Sequence, residues 1–151
     1  DEGWGLYAES LADELGLMPT PEDRFGRLAA RRWRLARVLV DLGVHSRLPV
    51  PDDVAALPGA CHEWNRATVT AVLRHHTVIS EGRLRFEVSR HLGWPAQPLA
   101  YAVGERVWQA GRRSAQAQAR TEGGELDLRA FHNRGIDLGS VGLDLLASAL
   151  H

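Results

Sequence analysis

Apolar residues recur along the chain at three- and four-residue intervals, and glycines, prolines and capping residues break that recurrence at points that divide it into helices. Trp4, Tyr7, Leu11 and Leu15 predict a first helix from Glu2 to Leu15, stopped by Gly16. Thr20-Pro21-Glu22-Asp23 supplies a capping hydroxyl, a proline at the first helical position and acids in the first turn. A long helix is therefore expected over Pro21 to Leu42, with Phe25, Leu28, Leu35, Leu39 and Leu42 toward the core and Gly43 as its C-terminal cap. On the same helix Arg27, Arg31 and Arg34 are expected to form a solvated face, and Asp41 lies four residues after Arg37, within pairing range.

Pro49, Pro51 and Pro58 make residues 44–59 a loop with at most a short helix over Pro51 to Leu57. Helix is expected again from near Ala60 to about His76. Thr77 to Ile79 reads as a helix–helix junction rather than a strand, because Leu84, Val88 and Leu92, then Leu99, Val103 and Val107, keep a helical period on either side of Pro95. The helix after Pro95 should run through Trp108 to about Arg120. Asp127 caps a short helix bearing Leu128, Phe131 and His132, and a last helix covers Val141 to Leu150. The expected fold class is all-α, a single helical domain of six or seven helices.

The length of 151 residues, 44% hydrophobic and 25% charged, suits one globular domain. A net charge of −1 gives no global field to attract nucleic acid or an anionic membrane. The arginine-rich face from Arg27 to Arg37 does not change that, since the same helix carries Asp23 and Asp41 and no aromatic stacking platform. All 18 basic residues are arginine, which reads more simply as the coding bias of a GC-rich genome than as selection for anion binding. Cys61 is the only cysteine, so an intrachain disulfide is excluded and a cytoplasmic location is expected. No apolar run approaches the roughly 18 residues of a membrane span, and no signal layout opens the chain.

Four blocks in order carry a resemblance. They are Glu2-Gly3-Trp4-Gly5-Leu6-Tyr7-Ala8-Glu9; Asp23-Arg24-Phe25-Gly26-Arg27-Leu28 on through Arg37 to His45; Glu87-Val88-Ser89-Arg90-His91 leading into Trp94-Pro95-Ala96-Gln97-Pro98-Leu99-Ala100-Tyr101; and Leu126-Asp127-Leu128-Arg129-Ala130-Phe131-His132. Together they resemble the C-terminal part of the bacterial domain-of-unknown-function family numbered 885, relatives of the gluzincin zinc peptidases. Two departures stand out: His91 replaces the family's tyrosine after the Glu-Val-x-Arg run, and the family's Pro-Gly-Gln turn reads Pro95-Ala96-Gln97.

The resemblance implies zinc-dependent peptide hydrolysis in the complete form, with Glu2 as a third metal ligand beside two histidines from an upstream helix. This chain starts at the glutamate block. Its one local imitation of a zinc motif, Cys61-His62-Glu63-Trp64-Asn65-Arg66, has arginine where the second histidine would stand, so the helical clamp is absent. Tyr101, four residues after Gln97, is implied as an oxyanion donor, with Gln97 as a substrate contact, and His45, placed after the expected helix stop, as a substrate or transition-state contact. Arg37 and Arg90 are able to hold a substrate carboxylate, although such arginines more often partner acids, here Asp41 and Glu87. His75 and His76 diverge by about 100 degrees on a helix and do not chelate together. His62, His91 and His132 share no spacing, and Cys61 reads as a buried inert thiol.

The chain is accordingly expected to be inactive unless a partner or an N-terminal segment brings the histidines. The alternative expectation is a metal-free remnant that binds a small molecule or a protein partner, with or without new catalysis in a biosynthetic pathway. The apolar face of the first helix, Trp4, Leu11 and Leu15, would then favour a homo-oligomer or a partner.

Overall fold

A computed structural model describes residues 2–150. Among them are eight α-helices and no strand: α1 (Glu2–Glu14), α2 (Pro21–His45), α3 (Asp52–Ala55), α4 (Arg66–His76), α5 (Glu81–Gly93), α6 (Leu99–Thr121), α7 (Leu128–Asp137) and α8 (Leu143–Leu150). The all-α class is as the periodicity predicts, and the eighth helix is the single turn α3 inside the proline-rich loop. By contact density the chain divides into two compact units, residues 12–100 and residues 2–11 with 101–150.

In the unit of residues 12–100 the core is aliphatic. Ala36 and Val40 of α2, Val54 of α3, Val69, Val72 and Leu73 of α4, and Leu84 and Val88 of α5 close on one another. Valines in α4 lower its intrinsic helicity, but Val69 and Val72 are wholly buried, and burial worth about 1.5–3 kcal/mol per side chain outweighs a propensity loss below about 0.7 kcal/mol. Side-chain caps fix where these helices begin. Thr20 and Asp23 form a reciprocal capping box at α2, Ser80 caps α5, and the Asn65 carbonyl accepts from the Ala67 and Thr68 N–H groups. That last cap starts α4 at Arg66 rather than near Ala60, leaving residues 61–65 outside any helix.

Helix α2 differs from expectation in three ways. Gly43 is not its cap: the helix continues to His45, where the Ser46 N–H closes on the Leu42 carbonyl, and Gly43 is buried inside the last turns. Its missing side chain makes room for Trp64, since a Cβ there would stand 2.1 Å from the indole. Phe25, Leu28 and Leu35 point outward, 70%, 55% and 42% exposed, while Ala36, Arg37, Val40, Asp41 and Gly43 are the buried positions. The smaller residues face inward because close helix packing selects them. Finally, Arg27 is not on a solvated face; it is largely covered and donates to Asp13 at 2.8 Å.

The unit of residues 2–11 and 101–150 has an aromatic core. Tyr7, Trp108, Phe131, Leu146 and Leu150 are buried in it, and Trp4 and Leu11 pack against it partly covered. Helices α1 and α6 cross at two glycines: a Cβ on Gly3 would lie 2.3 Å from the Gly104 Cα. Leu15, expected on the apolar face of the first helix, lies just past the end of α1 in the unit of residues 12–100 and is 61% exposed.

Candidate functional site

Because α2 runs through Gly43, Arg37, Asp41 and His45 fall four residues apart on one helical stripe. On α5, Glu87, Arg90 and His91 share a face by the same spacing rule, and Gln97 follows in the turn before α6. The unit of residues 12–100 brings these two stripes together into a buried polar cluster. Arg37, Asp41, Glu87 and His91 are each no more than 3% exposed.

Glu87 lies at the centre. Its Oε1 accepts from Arg83 Nε at 2.9 Å, while its Oε2 lies 3.9 Å from Arg37 Nε and 3.7 Å from Arg90 Nη1 and has no hydrogen-bond partner. A wholly buried carboxylate is tolerated because three guanidiniums surround it. Trp33 supports two of them, with the Arg37 and Arg83 guanidinium carbons 5.3 and 5.4 Å from its ring centre.

Arg37 Nε donates to His91 Nε2 at 3.2 Å. An accepting Nε2 fixes the neutral ring with its proton on Nδ1, a buried atom without a hydrogen-bond partner. Burial and then the neighbouring Arg37 charge lower the His91 pKa to about 4, so the ring is neutral at physiological pH. His45 behaves differently. Its Nε2 is 2.8 Å from the His91 carbonyl, which can only accept, so that nitrogen carries the proton and ties the end of α2 to α5.

The turn after α5 is pinned to the same cluster. Both carboxylate oxygens of Asp41 accept from the Ala96 N–H, at 3.0 and 3.1 Å, and Ala96 sits at φ +70°, in the left-handed region that favours glycine. This holds Gln97 where its Oε1 accepts from Arg37 Nη2 at 3.0 Å and from Arg90 Nη2 at 3.1 Å. Arg90 also covers Trp94, 5.2 Å from the ring centre. Of the predicted site residues, the structure thus gathers Arg37, Arg90, Gln97 and His45. Glu87 and Asp41, the acids expected as partners of Arg90 and Arg37, complete the cluster with His91. Glu87 lies beside Arg90 as expected, whereas Asp41 accepts from the Ala96 N–H and Arg37 reaches Glu87 and His91; His91, next to Arg90 in sequence, had no spacing to mark it.

Glu2 and Tyr101 lie in the other unit, both half-buried. Among the described residues no group of three or more histidine, cysteine, aspartate or glutamate side chains comes together that could hold a metal ion. These residues therefore do not by themselves fit a resident zinc. The same unit contains a second polar feature unanticipated from spacing. The Tyr7 hydroxyl is 2.9 Å from His132 Nε2 and accepts from Arg112 Nη1 at 3.4 Å, with Trp4, Trp108 and Phe131 packed around it. Cys61 is half-exposed rather than buried; the Thr68 hydroxyl, the backbone at Glu63 and the Asn65 amide hold its thiol below the usual range.

In comparison with known families, the family described as "Bacterial protein of unknown function (DUF885)" matches residues 1–150. No curated protein matches. No helix among the described residues is long and apolar enough to cross a membrane.

Proposed function

The chain belongs to DUF885, a bacterial family of unknown function, and from that membership we propose that it is the ligand-recognition segment of a gluzincin-like metallopeptidase relative, its ligand a peptide or small molecule held at the α2–α5 polar cluster. One observation carries the proposal: two guanidiniums, Arg37 and Arg90, converge with Gln97 above a buried acid, and Arg90, with 22% of its side chain exposed, keeps the cluster open to solvent. Arginine pairs in that arrangement suit planar anionic groups. In this proposal Glu2 is a metal ligand only when two imidazoles are supplied from a preceding segment or a partner chain, and Tyr101 is the oxyanion donor of that complete form. His45, whose Nε2–H is committed to the His91 carbonyl, is a positioning residue.

The second reading, a metal-free binding module, is favoured by the lack of a metal-capable side-chain group among the described residues. The two readings separate on zinc content and peptide cleavage, measured with and without chelator, for this chain and for the same chain joined to whatever its gene encodes immediately upstream. The peptidase reading expects stoichiometric zinc and chelator-sensitive cleavage only when a His-Glu-x-x-x-His-like segment is present, and loss of zinc in Glu2→Gln. No such segment upstream, or a joined chain that holds no stoichiometric zinc and cleaves no peptide, leaves the binding module standing, whereas zinc binding indifferent to Glu2→Gln removes Glu2 from the ligand set.

A further inference from the structure

Two positive groups share one neutral atom in this cluster. Arg37 Nη2 and Arg90 Nη2 both donate to the amide oxygen of Gln97. A carboxylate pairs with guanidiniums by ion-pair attraction and can accept through two oxygens at once, which a single neutral amide oxygen cannot, so an amide is the weaker occupant of that position. Glu87 does not take its place. Its Oε1 is engaged by Arg83, and its Oε2 stays 3.7–3.9 Å from both arginines without hydrogen-bonding either. The acid beneath holds the two guanidiniums by charge and leaves their outer N–H groups to the amide.

Opening this position asks for the movement of one side chain. The backbone before Gln97 is fixed, because the Ala96 N–H is held by both oxygens of the buried Asp41 carboxylate. Arg37 is buried by α2 and α5. Gln97 is half-buried at the outer edge, and its amide can swing away about its own side-chain torsions while the guanidiniums stay in place.

We propose that the position of Gln97 Oε1 is a carboxylate subsite, and that the Gln97 amide is a built-in stand-in which a ligand's free carboxylate displaces. The proposal rests on the cluster being the ligand site and adds the ligand class, a free carboxylate such as a peptide C-terminus or an N-acyl amino acid, together with an internal competitor that sets the affinity.

The test uses N-acetylalanine, N-acetylalaninamide and the intact chain, followed by calorimetry or by the fluorescence of the exposed Trp94 beneath Arg90. The acid is expected to bind saturably and the amide not. Gln97→Ala should bind the acid about tenfold more tightly, since the competitor is gone. Gln97→Glu should not bind it, since a tethered carboxylate fills the subsite. Arg90→Gln, at a partly exposed position, should weaken binding at least about tenfold. The proposal is overturned if Gln97→Ala binds no better than the wild type, if Gln97→Glu binds normally, if the amide binds as well as the acid, or if neither the wild type nor Gln97→Ala binds the acid. Binding is read without turnover, so its outcome is separate from that of the peptidase reading. A chain that binds the acid in this pattern but never cleaves in its complete form keeps the subsite and loses the peptidase.

Discussion

Ala96 offers the sharpest energetic test of the site's construction. At φ +70° its Cβ is set against its own backbone, and an L-residue held there is disfavoured by about 1–2 kcal/mol. The conformation persists because it aims the Ala96 N–H at both oxygens of Asp41, a carboxylate 2% exposed that would otherwise lose an acceptor role inside the protein. Ala96→Gly should relieve the strain and return about 0.5–1 kcal/mol to the greater freedom of unfolded glycine, for a net gain of about 0.5–1 kcal/mol. At this chain length that raises the melting temperature by about 1–4 °C. Gly16 is the mirror control: it has φ +73°, and nothing lies within 4 Å of where its Cβ would be. Gly16→Ala should lose a comparable amount.

Urea unfolding of the wild type and both variants measures the two shifts, read as midpoints at a common slope. Ala96→Gly in an Asp41→Ala background should gain less, because without its anchor the turn is able to leave the left-handed region; the difference is the coupling between the two residues. If Ala96→Gly leaves the midpoint unchanged while Gly16→Ala lowers it, the turn is not strained and its pinning by Asp41 is not what holds Gln97 in place.

Further outcomes follow from other close contacts and from burial. Gly43→Ala should destabilise by about 2 kcal/mol or more despite alanine's better helicity, because its methyl would enter the Trp64 ring; calorimetric melting and Trp fluorescence report it. Gly3→Ala, whose Cβ would meet the Gly104 backbone rather than a side chain able to move, should cost at least as much by the same measurement. Tyr7→Phe removes the hydroxyl shared by His132 and Arg112 and should cost about 1–3 kcal/mol in urea unfolding. His91 is neutral in the fold, with a pKa of about 4 against an ordinary 6.5, so the unfolded chain binds its proton more readily between those values. Its contribution is constant above about pH 6.5, and stability falls as pH drops toward 4, by at most about 3 kcal/mol. His91→Gln should flatten that part of the wild-type stability curve, and an unchanged slope would contradict the assignment.

The helices were legible because their boundaries are written in local chemistry. Thr20-Pro21, Asp127 and Gly16 act within a few residues of where they stand, and each helix they mark is found. Errors arose where a distant residue decides. Gly43 reads as a stop until Trp64, twenty-one residues on, is seen to occupy its missing Cβ; the later start of α4 is by contrast a local matter, set by the Asn65 cap on the Ala67 and Thr68 N–H groups. The helical period of α2 points Phe25, Leu28 and Leu35 toward the core, yet all three are exposed. The helix instead buries Ala36, Val40 and Gly43, and nothing in a single amphipathic stripe distinguishes the two faces when both carry leucine.

The site was legible in halves for the same reason. Arg37, Arg90 and Gln97 were named through the resemblance, but what joins them is Glu87, a buried acid whose importance depends on α2 packing against α5. The two positions where the resemblance leads one to expect tyrosine and glycine, His91 and Ala96, fall in this cluster and touch neighbouring residues of one α2 stripe, Arg37 and Asp41. Each replacement carries a visible cost, a buried Nδ1 without a partner in one case and a left-handed alanine in the other. A tyrosine at position 91 has no second ring nitrogen to bury, and a glycine at 96 has no Cβ to strain. If the cluster were only structural filler, His91→Tyr and Ala96→Gly should raise stability and change nothing else. If it is a ligand site tuned through Arg37 and the Gln97 turn, the same pair should also shift the affinity for N-acetylalanine, and binding that follows Arg37 and Gln97 geometry rather than overall stability is the result that decides between them.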